Sequence, residues 1–347
     1  MILDLSDNMD LKMSDIARLA GVSKAAVSFA LNGKPGVSEE TRKKIFKVIE
    51  EQGYEPLRKH KQGGVRKLAS LSLVIINDKS GIMNRNYASL PFFDTLVSSL
   101  SRNVGGFGGR VQIFTLDINH LKEDLMRDEA LLNSKASIVL ATDLNQVQVE
   151  LINQMLRNVV FIDNYYEDVD ADFVSIDNVQ GAYMAGKFII DRGYQKIGYV
   201  ASDRPITNFL QRRIGFRKAL KEADIEIPPE YVFSLNPTEL RGSLPEFFDN
   251  PTNYPEVIFC EDDYMALRLL KELTKQGINI PEDIGIIGFD DIFEDIMVTP
   301  ELTTIHVQID QIVSQAIHQL QSKVAEKDWL AQKCYISTKL VVRESLK

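Results

Sequence analysis

The chain has 347 residues, of which 44% are hydrophobic, and this length predicts two or three domains rather than one small core. Its only two cysteines, Cys260 and Cys334, exclude a disulfide-based secreted scaffold and favour a reducing compartment. The sequence has neither a signal-peptide pattern nor a run of about 18 apolar residues, so we expect a soluble, cytoplasmic protein without a membrane partner.

The formal net charge of -9 is unevenly distributed along the chain. Residues 1–67 hold 13 basic and 9 acidic residues, whereas the remainder holds 27 basic and 40 acidic residues. A basic head can approach a phosphate backbone while an acidic body keeps the chain soluble. At physiological salt the Debye length is about 8 Å, so distant acidic charge is screened from that contact.

The basic head predicts three short helices with a tight turn between the first two. Ser14, Ser23 and Ser38 are suited to N-cap the three helices, and Gly21 breaks the first one. This order is typical of a helix-turn-helix unit, in which the N-terminal residues of the second helix enter the major groove. A small helical domain that binds nothing is the alternative interpretation.

The stretch DIARLAGVSKAAVSFALNGKPGVSEETRKKIFKVIEEQGYEP resembles the headpiece of the LacI/GalR (lactose-repressor) family of bacterial transcription regulators. The resemblance implies an inverted-repeat DNA operator, a homodimer, and base contacts by Lys24, Ala25 and Phe29. It implies backbone-positioning contacts by Ser28 and Asn32. Many members have a guanine-reading Arg where this chain has Phe29, so the phenyl ring either touches a thymine methyl or folds back into the headpiece.

A basic linker is predicted at 57–68, after a headpiece that spans 11–56. The segment LRKHKQGGVRKL is either a flexible tether or a phosphate-contacting hinge. In the resembled family, paired hinge helices insert leucines into the minor groove. This chain has Gly63 at that position, and each of two adjacent glycines opposes a helix by about 1 kcal/mol. We therefore expect a short or disordered hinge without the leucine wedge.

From Leu71 onward, short apolar runs alternate with helical stretches. The runs are LSLVII, VQIFTLD, SIVLAT, NVVFID, FVSIDN, KIGYVAS, EVIFC and IGIIGFD. Runs of this length and apolarity are typical of strands buried on both faces, so the alternation predicts α/β architecture with parallel sheets. Ligands of such folds bind at the carboxyl ends of the strands.

The body also resembles the family along nearly its whole length, through PFFDTLVSSL, RRIGFRKAL, PEVIFCEDDYMAL and IPEDIGIIGFDD among other stretches. The resemblance implies a periplasmic-binding-protein-like core of two doubly wound parallel-sheet subdomains, with chain crossings near residues 163, 306 and 333. We expect the first subdomain to span 69–163 plus 308–331 and the second to span 164–306 plus 334–347.

The resemblance also implies an effector pocket between the two subdomains for a small polar molecule, in particular a carbohydrate. The residues carried over are Phe92, Phe93, Asn208, Arg212, Asp262 and Asp290. The fork of Arg212 suits vicinal hydroxyls or a carboxylate, and Asp290 is placed to accept hydroxyl donors. Asp262 stands where members that bind neutral sugars often have Asn, so it either favours a donor-rich ligand or pairs with Arg212.

Each of these residues has a purely structural alternative. Arg212 and Arg213 could be a surface pair, Asp290-Asp291 could cap a turn, and Phe92 and Phe93 could belong to the core. The segment KSGIMNRNYAS before Pro91 is longer than is usual for the family, and Asn86 and Tyr87 within it are further candidates for the cleft.

Other signals do not support catalysis or a cofactor. The run GGFGG at 105–109 follows a helical stretch, so it predicts a helix end rather than a phosphate-binding loop. No histidine pair has metal-ligand spacing, and no nucleophile motif stands out, so no enzyme activity is expected. The acidic clusters at 261–263 and 290–295 could bind a cation or be solvated strand ends. The alternative function is a cytoplasmic sugar-binding protein or sugar-acting enzyme whose head contacts another partner.

Overall fold

The computed structural model describes residues 13–31, 36–52, 69–84, 91–238 and 254–347. The chain divides into two compact units, Met1–Gly64 and Val65–Lys347. The predictions for Asn32, for the linker at 57–68 and for Asn86 and Tyr87 concern positions outside the described residues.

The first unit contains three helices, α1 (Met13–Ala20), α2 (Lys24–Leu31) and α3 (Glu39–Glu51). The turn between α1 and α2 uses Gly21 with φ +62°, a conformation that a Cβ would strain. Ser23 caps α2, since its Oγ accepts from the backbone N–H of Ala26 at 3.1 Å. The predicted three-helix order is confirmed, although α1 begins at Met13, one residue before the predicted cap Ser14.

The second unit contains twelve strands within the described ranges. They are β1 (Ser70–Asn77), β2 (Arg110–Asp117), β3 (Ser137–Leu140), β4 (Val159–Ile162), β5 (Asp172–Ile176), β6 (Ile197–Ser202), β7 (Val232–Leu235), β8 (Val257–Cys260), β9 (Gly285–Ile287), β10 (Thr304–His306), β11 (Lys333–Ile336) and β12 (Lys339–Val341). A parallel six-stranded sheet has the order β11-β5-β4-β3-β1-β2, and a parallel four-stranded sheet has the order β7-β6-β8-β9. Strands β10 and β12 form a separate antiparallel pair.

The α-helices of this unit lie between the strands along the chain. They are α4 (Pro91–Gly105), α5 (Leu121–Arg127), α6 (Glu129–Leu132), α7 (Gln146–Met155), α8 (Asn178–Asp191), α9 (Thr207–Glu222), α10 (Asp263–Lys275) and α11 (Ile309–Ala325). The predicted α/β class with parallel sheets is confirmed. The run GGFGG lies at the end of α4 and the turn before β2, as predicted.

The assignment of strands to sheets corrects the predicted division of the body at two places. Residues 172–176 pair with β4 in the six-stranded sheet, so the chain leaves that sheet after residue 176 and not near 163. Strand β11 pairs with β5 in the same sheet, so residues 333–336 also belong to the first sheet, and only the residues from 339 onward pair with β10. An apolar run predicts a buried strand but does not identify its neighbours, which is why both assignments failed.

Candidate functional site

The helix α2 presents the predicted DNA-contacting residues along one side. Lys24, Ala25 and Phe29 are exposed and Ser28 is half-buried, whereas Val27 and Ala30 are buried against α1 and α3. Residues four apart lie on one side of a helix, so the pairs 24/28 and 25/29 form a continuous strip. The strip begins at the N-terminus of α2, the end that a helix-turn-helix unit inserts into the major groove.

Phe29 combines the two alternatives that the sequence left open. A Cβ placed on Gly36 would lie 3.4 Å from Cδ2 of the Phe29 ring, so the ring rests against the loop that precedes α3. The residue nevertheless stays 39% exposed. One side of the ring is therefore packed in the headpiece, and the rest is open to an apolar group such as a thymine methyl.

Arg42 is a headpiece residue whose role the sequence reading missed. Its Nη1 donates to the carbonyl of Ala30 at 3.0 Å, which caps the C-terminus of α2 with a cation. The interaction ties α3 to α2 and so fixes the direction of the exposed strip. The sequence signal for this role was the pair Thr41-Arg42, which follows Ser38 at a fixed short distance.

In the body, the predicted effector residues converge on one cavity of about 710 Å³, its open mouth included. Its polar lining comprises Thr142, Asp163, Asn208, Arg212, Thr238, Asp262 and Asp290, and its aromatic lining comprises Phe92, Phe93, Phe209 and Tyr264. These residues follow β1, β3, β4, β6, β7, β8 and β9, so the carboxyl ends of strands from both parallel sheets meet here. That is where ligands of open α/β sheets bind.

Arg212 is the polar centre of the cavity. It is 4% exposed. Its Nε donates to Asn178 Oδ1 at 2.8 Å, its Nη1 to the carbonyl of Glu261 at 2.5 Å, and its Nη2 to Asp290 Oδ1 at 2.9 Å. The guanidinium also lies 3.7 Å from the centroid of the Phe289 ring. The surface-pair alternative is wrong for Arg212, because three polar partners and one aromatic ring hold it inside the cleft.

Arg212 is positioned by the close approach of α8 and α9. Gly215 lies one turn after Arg212, and a Cβ there would lie 2.1 Å from the carbonyl oxygen of Val179 in α8. Two backbones at this distance require glycine. Gly215, within the stretch RRIGFRKAL, therefore has a packing role in the placement of the arginine.

Asp262 and Asp290 bring two carboxylates into the same cavity. Burial raises the pKa of Asp262 well above its usual value, and the charge of Asp290 raises it further. Burial likewise raises the pKa of Asp290 to about 7, although Arg212 opposes this shift. Each carboxylate is therefore costly to ionise in the cavity, and a ligand with positive charge or hydrogen-bond donors would lower that cost.

Asn208 bridges the two sides of the cleft. Its amide accepts from Asn178 Nδ2 at 3.1 Å and donates to Asp163 Oδ1 at 2.7 Å. Thr142 donates to the other oxygen of Asp163 at 2.5 Å. Asn208 lies in the first turn of α9. The sequence reading missed Asp163, Asn178 and Thr142, although Asp163 directly follows the apolar run NVVFI.

Phe92 and Phe93 line the cavity from the first turn of α4, and both are half-buried. Ile82 and Met83, from the long segment before Pro91, also line it. Their backbone N–H groups donate to Asp143 at 2.9 and 2.6 Å, which anchors this part of the segment beside the cleft. The prediction that the segment reaches the cleft thus holds for residues 82 and 83.

Most carboxylates of the acidic clusters are buried or half-buried, and only Glu294 is exposed, so the clusters are not solvated strand ends. Asp263 accepts from Thr304 Oγ1 at 2.7 Å and from the backbone N–H of Asp291 at 2.6 Å. Asp291 pairs with His306 Nδ1 at 2.7 Å and with Arg343. Within the described ranges, no group of three or more His, Cys, Asp or Glu side chains could hold a metal ion.

Comparison with known proteins gives two family-model matches. Residues 12–56 match the model described as bacterial regulatory proteins, lacI family, and residues 187–346 match a periplasmic binding protein-like domain. Among the described residues, no helix is long and apolar enough to cross a membrane.

Curated relatives and solved structures match over nearly the full length. The HTH-type transcriptional repressor PurR of Mannheimia succiniciproducens is 26% identical over 344 residues, which cover 96% of this chain and 98% of that protein. A structure of the transcriptional regulator CelR with cellobiose has a TM-score of 0.68 at 21% identity, with 96% and 99% of the chains covered. The lac repressor dimer bound to operator and the anti-inducer ONPF has a TM-score of 0.64 at 19% identity, with 97% and 99% covered.

Proposed function

Because the chain belongs to the lacI family of bacterial regulatory proteins and is a DNA-binding transcriptional repressor, we propose that it acts as a dimer on an inverted-repeat operator under the control of a small polar effector. The effector binds in the cleft around Arg212 and is a sugar or sugar derivative. Repression of chromosomal genes places the protein in the cytoplasm. The observation that carries this proposal is the convergence of strand ends from both sheets on one polar cavity.

The chemistry of the cavity supports a polyhydroxylated effector. The guanidinium of Arg212 has N–H groups in a planar fork, which suits vicinal hydroxyls. Asp290 offers an acceptor beside it, and Phe92 and Phe93 offer apolar faces for the ring of a sugar. The structural relative CelR was solved as a complex with cellobiose, a carbohydrate.

An exposed apolar patch supports the dimer. Phe293, Ile296 and Met297 are 67%, 47% and 69% exposed and follow one another closely in one short segment after β9. A patch of large apolar side chains on the surface favours association with a partner. A second copy of the chain is the partner that an inverted-repeat operator requires, because the symmetry of the DNA site matches that of a dimer.

Effector control follows from the contacts that span the cleft. Asn208, in the helix after β6, donates to Asp163, which follows β4 in the other sheet. A ligand that enters between these residues changes the closure of the cleft if it prefers one arrangement over the other. A coupling of about 1–3 kcal/mol between effector and operator would be ordinary, so an effect far above about 150-fold on operator affinity would contradict this mechanism.

Selection of bound fragments from random double-stranded DNA tests the proposal. The full-length protein should enrich an inverted repeat, with the half-site contacts of α2 visible as the most constrained base pairs. A Lys24→Ala variant should enrich the same repeat with weaker preference. Failure to enrich any duplex at low ionic strength would refute the proposed function.

A further inference from the structure

Asp262 has an unusual position within the cleft. It is 4% exposed, it lines the cavity, and it is the N-cap of α10, two residues after the end of β8. Its Oδ1 accepts from the backbone N–H of Met265 at 2.7 Å. No donor from the described residues hydrogen-bonds to Oδ2. A buried carboxylate therefore offers one oxygen to the cavity.

The nearby arginine does not neutralise Asp262. The three bonds of Arg212 go to Asn178, to the carbonyl of Glu261 and to Asp290. Within the described residues, its ion pair is with Asp290, and none is formed with Asp262. The alternative that Asp262 merely pairs with Arg212 is therefore not what the structure contains.

The other carboxyl groups that the structure describes near the cleft offer no free acceptor. Both oxygens of Asp163 are bonded, to Asn208 and Thr142, and both oxygens of Asp143 accept backbone N–H groups. The further cation Arg213 is bound to Glu261 outside the cavity lining. Among the described residues that line the cavity, Asp262 and Asp290 are thus the carboxylates with an oxygen left for a ligand, and the guanidinium of Arg212 is already shared with Asp290.

We propose that the effector carries a cationic nitrogen, as in an amino sugar, and that this nitrogen binds Asp262 beside Asp290 while hydroxyl groups of the same molecule reach Arg212. The inference rests on the proposed function, since it specifies the chemical class of the effector. An ammonium group supplies the donors that Oδ2 lacks, and its charge offsets the repulsion between the two carboxylates. A neutral polyol supplies donors but leaves that repulsion in place.

The substitution Asp262→Asn tests the negative charge of this side chain separately from its role as the N-cap of α10. Asparagine is as good an N-cap as aspartate and has nearly the same shape, so α10 keeps its first turn. Asp191→Asn is the matched control, because Asp191 is an exposed carboxylate at the end of α8 whose partner is Lys187. Thermal unfolding of both variants verifies that the fold is retained.

The test is calorimetric titration of the full-length protein at neutral pH with matched sugar pairs. The probes are D-glucosamine against D-glucose, D-galactosamine against D-galactose, and D-mannosamine against D-mannose. We expect the amine to bind at least tenfold more tightly than its neutral partner in at least one pair. Asp262→Asn should remove that preference and Asp191→Asn should keep it.

Three results would overturn the inference: neutral sugars that bind as tightly as their amines, no binding by any amine, or an amine preference that survives Asp262→Asn. The first leaves the proposed function intact, because a neutral sugar would still occupy the cleft. Failure of the proposed function itself is recognised separately, by the absence of any enriched duplex in the DNA selection.

Discussion

At the scale of single residues, Arg212 contributes to stability through its ion pair, and we propose that it also binds the effector. It is 5% exposed as a side chain and pairs with Asp290 at 2.9 Å. Arg212→Ala leaves that carboxylate buried without its cation, a change that costs about 3–5 kcal/mol. We expect urea unfolding to show this loss, and Arg212→Lys to recover part of it because the charge returns without the fork.

The response to the effector should show whether the two variants have lost ligand binding as well as stability. Both should lose the response to a cleft-binding ligand and keep basal DNA binding, because Arg212 lies outside the headpiece. A variant that unfolds like the native protein, or that still responds at the same ligand concentration, would show that Arg212 has another role.

Asp295 gives a pH-dependent prediction at the same scale. It is fully buried, and burial together with the neighbouring carboxylate of Asp263 raises its pKa to about 10. An unfolded aspartate has a pKa near 4, so between these values the folded state binds a proton that the unfolded state has lost. Stability must therefore fall as the pH rises from about 4 towards about 10.

Asp295→Asn removes this titration and keeps the shape. We expect the variant to be more stable than the native protein at pH 8 by at least about 1 kcal/mol, with a difference that grows as the pH rises and disappears near pH 4. Chemical unfolding at pH 4.5, 6 and 8 measures it. A difference independent of pH would show that Asp295 is not held protonated.

At the scale of elements, the contact between α8 and α9 sets the position of the site. The Cβ of Gly215→Ala would lie 2.1 Å from the carbonyl oxygen of Val179, and neither backbone can move aside alone. We expect a loss of about 1–3 kcal/mol or more from overpacking, together with weaker effector binding because Arg212 shifts. Gly105→Ala, at the end of α4, is the control, since a Cβ there meets no atom within 4 Å.

The sequence predicted which segments form strands more reliably than it predicted which strands pair with one another. The run FVSIDN predicted a strand correctly, but its periodicity is the same in either sheet, so its membership of the first sheet was missed. Helix α9 begins at Thr207, before the stretch RRIGFRKAL that carried the resemblance, so Asn208 lies in its first turn.

The candidate site shows the same limit. Arg212, Asp262 and Asp290 were identified because each belongs to a short motif at a strand end or helix start. Asp163 and Asn178 were missed, because their roles depend on contacts with Asn208 and Arg212, more than 30 residues away along the chain. A short motif predicts where a residue lies within its own strand or helix, whereas hydrogen bonds between distant segments depend on the assembled fold.

At the scale of the whole molecule, charge distribution should govern DNA binding. Between Lys12 and Lys67 the chain has 13 basic and 6 acidic residues, whereas the body is acidic. Each phosphate contact changes the slope of log K against log salt by about 0.9, so a dimer with several contacts in each head should show a steep decline in affinity. The body, which is screened, should contribute little to that slope.

Substitutions of Lys24 in the head and Lys187 in the body distinguish the contributions of these two parts of the chain to DNA binding. Lys24 is exposed at the start of α2, and Lys187 is a half-exposed lysine of the body that pairs with Asp191. If Lys24 contacts phosphate, Lys24→Ala should lower the magnitude of the slope by about two for a dimer and should weaken binding to all duplexes alike. If Lys24 reads a base, the substitution should instead lower the preference for the operator over other duplexes. Fluorescence anisotropy from 50 to 300 mM salt measures both. Lys187→Ala should leave slope and preference unchanged, and an equal effect of the two substitutions would show that the body, and not the basic head alone, contacts the DNA.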